Sequence, residues 1–265
     1  MSCWTESLRS FVSANSDALS MKTLEFIDLI LKSTAQSGIS LTQDQARLFS
    51  IHIELLLRWN TRLNLTRITR IEDIIVKHLL DSILPLKFLP SAGNALDVGT
   101  GAGFPGIPLK IFCPGLQMIL LDSSRKKVSF LANVAAALGM QGIRAVHGRW
   151  QELAKTAENT AKLQLITMRA VKLEPQHITF LASVTLAPGG YFAWWGGCSP
   201  DLEAGDKGCG TRPFEEKCGN VEFVGAYGYA LPGVERQRAV WIWKKPESAD
   251  FHLIKNGNLN SKNSL

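Results

Sequence analysis

The sequence is poor in cysteine and has no long uninterrupted apolar run. Its five cysteines are odd in number and include no C-x-x-C pair, which argues against a disulfide framework and against a zinc site. Arg58, Lys77 or Pro85 interrupts each of the longest apolar stretches, and a membrane-spanning helix needs about 20 predominantly apolar residues. We therefore expect a soluble cytoplasmic protein with no bound metal and no membrane segment.

The chain is long enough for one large domain with short extensions. It has 265 residues, of which 46% are hydrophobic, and can bury a core of its own. Residues 1–20 are rich in serine but have neither the basic start nor the apolar centre of a secretory signal, and residues 246–265 are rich in Asn and Ser. We predict disordered ends at 1–20 and 246–265, a helical cap at 21–90 and an α/β domain at 91–245.

Positive charge exceeds negative charge. There are 29 Lys and Arg residues against 23 Asp and Glu residues, which gives a net charge of +6. Such an excess is compatible with a polyanionic partner such as nucleic acid. The cations are concentrated in residues 58–78 and again at 125–127. Taken singly, each run fits a solvated helix face equally well.

Residues 21–89 have helical periodicity and no strand pattern. Thr42 and Gln45 form a capping box, and apolar residues then recur at three- and four-residue steps up to a helix end near Asn60. A second apolar stripe from Ile68 predicts another helix, which extends to Pro85.

After Gly93 the pattern changes to short apolar runs that alternate with helical windows. Continuous apolar strands between helices are typical of a parallel sheet that helices cover on both faces. We therefore predict an α/β fold with a doubly wound, mostly parallel seven-stranded sheet. The last two strands lack a helix-length connection, so we expect them to pair antiparallel. The predicted strands are 95–98, 118–121, 143–146, 163–167, 191–195, 221–227 and 240–243.

A glycine-rich stretch lies where the first predicted strand ends and its helix begins, the position at which an open parallel sheet binds its ligand. Gly101, Gly103 and Gly106 match the dinucleotide fingerprint G-x-G-x-x-G, which is weak evidence when it occurs alone. Asp97 at the strand tip favours S-adenosylmethionine instead, because a carboxylate suits the cationic amino acid end of that donor better than a pyrophosphate. Asp122 ends the second strand and can accept the ribose hydroxyls of either ligand.

Several motifs follow one another along the chain. They are WN at 59–60, NLT at 64–66, HLLDS at 78–82, DVGTGAGFPGIPL at 97–109 and LDS at 121–123, ahead of KK at 126–127. Together they resemble the bacterial small-subunit rRNA guanine-N7 methyltransferase family, also called the glucose-inhibited division protein B family. The resemblance covers about residues 22–245. It implies a class I methyltransferase fold, S-adenosylmethionine bound by residues 91–245, and methylation of N7 of a guanine in 16S rRNA.

The resemblance also implies which residues hold the donor. Trp150 and Gln151 depart from the family's usual small apolar residue followed by Glu, and the adenine would there rest on backbone groups and an aromatic face. After the fifth strand the chain lacks the Lys-Gly pair that the family often has. The expected cofactor-binding residues are Asp97, Gly99, Thr100, Gly101 and Phe104 around the turn, Asp122 and Ser123 after the second strand, Trp150 and Gln151 after the third and Arg169 after the fourth.

The implied reaction needs no general base. Methyl transfer from a sulfonium is an in-line displacement, and guanine N7 carries an unprotonated lone pair at neutral pH, so orientation and electrostatics can suffice. The candidates for shaping the catalytic site are His78, Asp81, Ser82 and Asn64. His78 and Asp81 lie at i and i+3 on one helix face, and the pattern fits a structural role as well as a role in the pocket. Asn64 fits a turn slightly better than a pocket.

The cationic runs are the expected contacts to RNA phosphates. An exposed guanine could rest on an aromatic residue such as Phe104 or Trp194, although both types are more often core residues. Two other functions remain open: an NAD(P)-dependent oxidoreductase and a non-catalytic nucleotide- or RNA-binding protein. We expect a monomer that binds 16S rRNA or the small ribosomal subunit through Arg62 and Arg67 on the cap and Arg125, Lys126, Lys127 and Arg149 around the pocket.

Overall fold

The fold is that of a computed structural model, which describes residues 21–153, 161–171, 175–197, 217–218 and 220–247. The predicted disordered ends are 1–20 and 246–265, and apart from residues 246–247 they lie outside these ranges. The chain forms helices up to Phe88 and then alternates strands with helices.

Two helices begin the cap, as the sequence predicts. Helix α1 spans Met21–Gln36 and helix α2 spans Gln43–Leu63. The capping box is present: the Thr42 hydroxyl accepts from the Gln45 N–H, and the Gln45 side chain accepts from the Thr42 N–H. Helix α2 ends slightly later than predicted, with Asn64 as a left-handed C-cap. Asn tolerates this conformation, so Asn64 forms the turn that the sequence slightly favours over a role in the pocket.

The second apolar stripe does not form the single helix that its periodicity predicts. It consists of helix α3 (Ile71–Ile74), a π-helix (Ile75–Leu80), helix α4 (Asp81–Ile83) and a 3-10 helix (Leu84–Phe88). Pro85 has no N–H with which to continue an α-helix, which is consistent with the tighter turn around it. Short π-helical segments are frequent at functional sites, and the residues of the HLLDS motif lie within and directly after this one.

Eight strands form one sheet in the described residues. They are β1 (Ala92–Val98), β2 (Gly115–Asp122), β3 (Ile143–His147), β4 (Leu163–Arg169), β5 (Leu186–Gly197), β6 (Lys217–Cys218), β7 (Val221–Leu231) and β8 (Val234–Lys244). The helices between them are α5 (Gly106–Phe112), α6 (Arg125–Leu138), α7 (Trp150–Leu153) and α8 (Pro175–Thr185). Each long strand includes the run that the sequence predicts for it.

The strand order is β3-β2-β1-β4-β5-β8-β7-β6. Strands β1 to β5 pair parallel, whereas β8 pairs antiparallel with β5 and β7, and β7 pairs antiparallel with β6. The predicted fold class and the antiparallel final pair are confirmed. The count differs from seven because of β6, which has two residues and therefore no recognisable apolar run. The direction of winding changes between β1 and β4, and such a switch point is where open α/β sheets bind ligands.

Apolar side chains cover both faces of the sheet. One core joins the cap and α6 to the sheet through residues such as Phe49, Leu80 and Phe130, and the other includes Ile166 and Phe192. Because both faces are buried, the parallel strands are continuously apolar, as the sequence shows. None of the helices in the described ranges is both long and apolar enough to cross a membrane.

Candidate functional site

Residues 99–105, which we call the glycine turn, join β1 to α5 at the edge of the sheet where the carboxyl ends of β1 to β4 meet. Two backbone N–H groups of the turn fasten it to β2. Thr100 donates to the Leu121 carbonyl (3.1 Å), and Gly101 donates to Asp122 Oδ2 (3.0 Å). The turn is therefore fixed beside the end of β2 by its own backbone.

Glycine serves two different purposes in this turn. Gly101 has a φ of +61°, which disfavours a side chain, and the space where a Cβ would stand is open, with Gly99 O the nearest atom at 3.9 Å. A ligand can approach such an exposed backbone closely. At Gly106 a Cβ would lie 2.7 Å from Asp97 Oδ2, so the absence of a side chain lets α5 pack directly on the sheet. Gly106 thus has a packing role, as in dinucleotide sites.

Asp97 does not lie on the open side of the turn. Its side chain is fully buried, Oδ2 accepts from the Gly106 N–H and Oδ1 accepts from the Thr167 hydroxyl, both at 2.9 Å. Burial raises the pKa of Asp97 to about 6, against the opposing effect of the hydrogen bonds from Thr167 and Gly106. The expected direct contact with the cationic end of a donor does not fit this position, in which Asp97 ties the turn, α5 and β4 together.

Asp122 occupies the position expected of a ribose-binding acid at the end of β2. Its Oδ2 accepts from Gly101, and its Oδ1 accepts from the Ser124 N–H (2.8 Å). A carboxylate has about four lone-pair positions, so two remain for the hydroxyls of a ligand. Lys127 Nζ lies 3.9 Å from Oδ2. Ser123, which lies between Asp122 and Ser124 in the sequence, is exposed. This acid can therefore accept from a ligand without releasing the turn.

Phe104 packs between two imidazole rings. Its ring centroid lies 4.7 Å from that of His52 and 4.6 Å from that of His78. His52 Nε2 donates to the Ala102 carbonyl (2.8 Å), and burial lowers the pKa of His52 to about 4. Because Phe104 is only 5% exposed, it has no open ring face for an unstacked guanine, and the expectation that it holds one is wrong. Its contact with the donor stays a prediction.

His78 joins the cap to the end of β4. Its Nδ1 lies 3.0 Å from Arg169 Nη2, and its Nε2 lies 3.0 Å from the Thr66 hydroxyl. A guanidinium can only donate, so Nδ1 accepts, and the neutral ring donates its Nε2 proton to Thr66. Burial, reinforced by the Arg169 guanidinium, lowers the pKa of His78 to about 3. A neutral imidazole with both nitrogens engaged is not placed to act as a general base.

The carboxylate of Asp81 is fully buried and holds two arginines. Its Oδ2 accepts from Arg169 Nη1 and from Arg238 Nη2, both at 3.0 Å. Its Oδ1 accepts from the Tyr229 hydroxyl (2.7 Å) and from Arg238 Nε (3.1 Å). We call Asp81, Arg169, Tyr229 and Arg238 the Asp81 cluster. It links the cap to β4, β7 and β8.

The other two catalytic candidates make local structure. The Ser82 hydroxyl donates to the His78 carbonyl within the same helical segment (2.6 Å). Asn64 caps α2 through its backbone N–H, which donates to the Asn60 carbonyl. Of the four candidates, only His78 and Asp81 therefore contact a residue at the end of β4.

Trp150 and Gln151 begin helix α7, shortly after β3. The Trp150 ring lies 5.1 Å from the ring of His177 and 6.3 Å from that of Phe180, both on α8. Gln151 is exposed. The indole thus packs against α8, and its predicted contact with adenine stays a prediction.

The cations expected to contact RNA lie at the surface near the strand ends. Arg67 directly follows Thr66, to which His78 donates, and Arg125 directly follows Ser124, whose N–H is bound at the end of β2. Apart from Lys127, none of them forms an ion pair with another described residue. We call this set the cationic rim: Arg62, Arg67, Arg125, Lys126 and Arg149 are exposed, and Lys127 is partly exposed.

Sequence reasoning missed several residues of this site. Tyr229 and Arg238 lie on strands without a recognised motif, so no local signal pointed to them. Asn60 and Thr66 belong to the quoted motifs: the Asn60 amide donates to the Thr66 carbonyl (2.9 Å) and accepts from its N–H (2.8 Å). Motif spacing was therefore an available signal for this pair, which holds the hydroxyl that accepts from His78.

A mostly parallel sheet with this switch point, a glycine turn after β1 and an acid after β2 define an α/β protein that binds a nucleoside-containing ligand. The family model of GidB, rRNA small subunit methyltransferase G, matches residues 45–208. The chain therefore belongs to the rRNA small subunit methyltransferase G family and is a methyltransferase, which confirms the resemblance seen in its motifs.

Two curated relatives cover most of the chain. The ribosomal RNA small subunit methyltransferase G 1 of Syntrophobacter fumaroxidans is 43% identical over 208 residues, which are 78% of this chain and 91% of that protein. The ribosomal RNA small subunit methyltransferase G of Myxococcus xanthus is 35% identical over 224 residues, which are 83% and 99%. Among solved structures, a SAM dependent methyltransferase from Aquifex aeolicus has 17% identity and a TM-score of 0.44, and the similarity covers 62% of this chain and 90% of that chain.

Proposed function

We propose that the protein uses S-adenosylmethionine to methylate N7 of a guanine in the 16S rRNA of the small ribosomal subunit. The observation that carries this proposal is the open backbone of Gly101 bonded to the Asp122 carboxylate at the switch point of the sheet. Membership in the rRNA small subunit methyltransferase G family supports the substrate. It also removes the reason to prefer an oxidoreductase, which depended on the glycine fingerprint alone.

The described residues fit an adenosyl donor. The open space over Gly101 leaves room for a ligand against the backbone. Asp122 keeps two acceptor positions, which suit the two ribose hydroxyls. Arg169 brings a guanidinium to the end of β4, where it suits the carboxylate of the donor's amino acid end. Ser123, Trp150 and Gln151 would complete the pocket on the side of β2 and β3.

The protein contributes orientation and electrostatics rather than proton transfer. Bound S-adenosylmethionine supplies an electrophilic methyl group on a cationic sulfur. His78 stays neutral at physiological pH because of its low pKa, so it adds no further positive charge where the methylated purine becomes cationic. The stacking of His52, Phe104 and His78 holds the turn in one conformation. Fixed groups of this kind lower a barrier without reorganising during the reaction.

The cationic rim supports an RNA substrate. Its members are exposed around the strand ends, and phosphates would neutralise them. We further propose that the protein acts as a monomer in the cytoplasm, and size-exclusion chromatography with light scattering would test the first part.

A methylation assay tests the function directly. Methyl-labelled S-adenosylmethionine is incubated with 30S subunits and, separately, with protein-free 16S rRNA, both from cells that lack the enzyme. We expect label at one guanine, which borohydride and aniline cleavage identifies as N7-methylated. Asp122→Asn should weaken donor binding by about tenfold or more, because its amide would oppose the N–H groups of Gly101 and Ser124. Asp44→Asn, an exposed acid on α2, is the matched control.

Two results would contradict the proposal. Donor or RNA binding without methyl incorporation into either substrate would favour a non-catalytic binding protein. A tight calorimetric isotherm with NAD(P), and none with S-adenosylmethionine, would favour an oxidoreductase.

A further inference from the structure

The two arginines of the Asp81 cluster contact the carboxylate in different ways. Arg238 makes a two-point contact, with Nε on Oδ1 (3.1 Å) and Nη2 on Oδ2 (3.0 Å). Arg169 makes one contact, from Nη1 to Oδ2 (3.0 Å). The Tyr229 hydroxyl donates to Oδ1 at 2.7 Å, so four donors saturate the carboxylate. Arg238 is therefore its main counterion.

The second terminal nitrogen of Arg169 is turned away from the acid. Nη2 donates to His78 Nδ1 (3.0 Å), and the guanidinium carbon lies 5.4 Å from the centroid of the Phe104 ring. A two-point pair is the favoured geometry between an arginine and a carboxylate. Arg169 does not form it because Arg238 and Tyr229 already occupy Oδ1. The strands β7 and β8 thus determine how Arg169 is oriented at the end of β4.

The cluster also carries an excess of positive charge. Two guanidiniums share one carboxylate, and the Asp81 side chain is inaccessible, whereas the Arg169 side chain is 12% exposed. Arg238 balances the acid, so the charge of Arg169 is left beside Phe104 of the glycine turn. An anionic group of a ligand would neutralise it there.

We propose that Arg238 and Tyr229 are positioning residues, which saturate Asp81 and so keep the Arg169 guanidinium available for the carboxylate of the donor. This inference rests on the proposed function, in which Arg169 contributes to the donor pocket. Neither residue lies within the segment 45–208 that the family model matches. When Arg238 is absent, Arg169 closes a two-point pair on Asp81 and withdraws from the ligand.

Calorimetry with S-adenosylmethionine on the full-length protein tests the proposal. Arg238→Gln should raise the Kd of the donor by about tenfold, and Tyr229→Phe should raise it less, because it removes one neutral donor. In an Arg169→Ala background, Arg238→Gln should have no further effect on the Kd. Arg236→Gln is the matched control: this exposed arginine lies on the same strand and forms no ion pair with a described residue.

A merely structural role would lower the unfolding temperature and leave the Kd unchanged, and this result for Arg238→Gln and Tyr229→Phe would overturn the inference. An undiminished effect of Arg238→Gln in the Arg169→Ala background would overturn it as well. If Arg238→Gln does not fold, Tyr229→Phe in the same two backgrounds decides. A Kd that Arg169→Ala leaves unchanged would instead refute the donor contact assigned to Arg169 in the proposed function, and the inference with it.

Discussion

The Asp81 cluster and the cationic rim lie near the same strand ends and differ in how their charge is balanced. The arginines of the cluster are mostly enclosed, with side-chain exposures of 12% and 31%, and share one buried carboxylate. The rim residues are exposed and, except for Lys127, have no acidic partner among the described residues. The cluster therefore holds parts of the protein together and leaves only the partly exposed Arg169 near a bound ligand, whereas the rim is open to an external polyanion.

The physical costs of the two regions differ accordingly. A buried guanidinium has lost its hydration and is tolerable only with a partner and further hydrogen bonds. The exposed cations of the rim keep their hydration, so their cost in stability is smaller. It arises because Arg125, Lys126 and Lys127 lie in the first turn of α6, where the helix dipole favours acids over cations. No acid lies in that turn. Such an arrangement costs some stability and suits the binding of phosphates.

Neutralising the buried acid should have the largest effect on stability. Asp81→Asn leaves two guanidiniums without their counterion and places an amide NH2 group against two of the four donors. We expect the free energy of unfolding to fall by about 3–5 kcal/mol, as measured by urea denaturation. Glu72→Gln is the control, because its ion pair with Arg70 is exposed and long, 3.9 Å, and is worth about 0–1 kcal/mol. Equal stabilities of the two variants would show that the cluster is not a stabilising unit.

Acid should weaken the interior of the site. The pKa of His52 is lowered to about 4 and that of His78 to about 3, whereas both titrate near 6.5 in the unfolded chain. Below pH 6.5 the unfolded chain binds more protons, so the free energy of unfolding decreases as the pH falls from 6.5 toward 4. Asp97 opposes this decrease between about pH 6 and 4, because its raised pKa makes the folded protein take up a proton there.

His52→Gln tests this sign. It removes one of the two histidines, so the difference in unfolding free energy between pH 7 and pH 5 should shrink by roughly 1–2 kcal/mol. An unaltered pH dependence in His52→Gln would mean that the imidazole between Phe104 and the Ala102 carbonyl is not held neutral.

The sequence predicts the framework of this site better than its interior. The periodicity of the apolar residues and the positions of the glycines locate β1, the turn and α6, because a strand, a glycine and the start of a helix are local features of the sequence. Arg238 and Tyr229 contact Asp81 although each is more than a hundred residues away from it in the sequence, and no local sequence pattern encodes such a contact. Likewise, Asp97 at a strand tip is compatible with either side of the turn, and only packing against Gly106 decides that it is buried.

The rim can be weakened without affecting the cluster. Replacing Arg125 and Lys126 together by Gln should lower the affinity for 16S rRNA by about tenfold and reduce the slope of log K against log salt by about 1.4 to 1.8. Stability should change by less than about 0.5 kcal/mol. Arg47→Gln is the control, because Arg47 is an exposed cation near the start of α2, far along that helix from the rim residue Arg62. It should change neither the affinity for 16S rRNA nor its salt dependence. A salt dependence identical to that of the wild type would show that Arg125 and Lys126 of the rim do not contact the RNA phosphates.

Asp97→Asn should have the smallest effect, and it separates two roles for this acid. Asp97 is the interior acid that accepts from an N–H and a hydroxyl rather than from a guanidinium. The Asn oxygen can still accept from Gly106, so stability at pH 7 should stay within about 1 kcal/mol, whereas Asp97→Ala leaves that N–H unpaired and should cost about 1–3 kcal/mol. If Asp97 touched the cationic end of the donor, Asp97→Asn would abolish donor binding. Because its carboxylate is enclosed beneath the turn, we expect a Kd within about threefold of the wild type, which corresponds to less than about 1 kcal/mol.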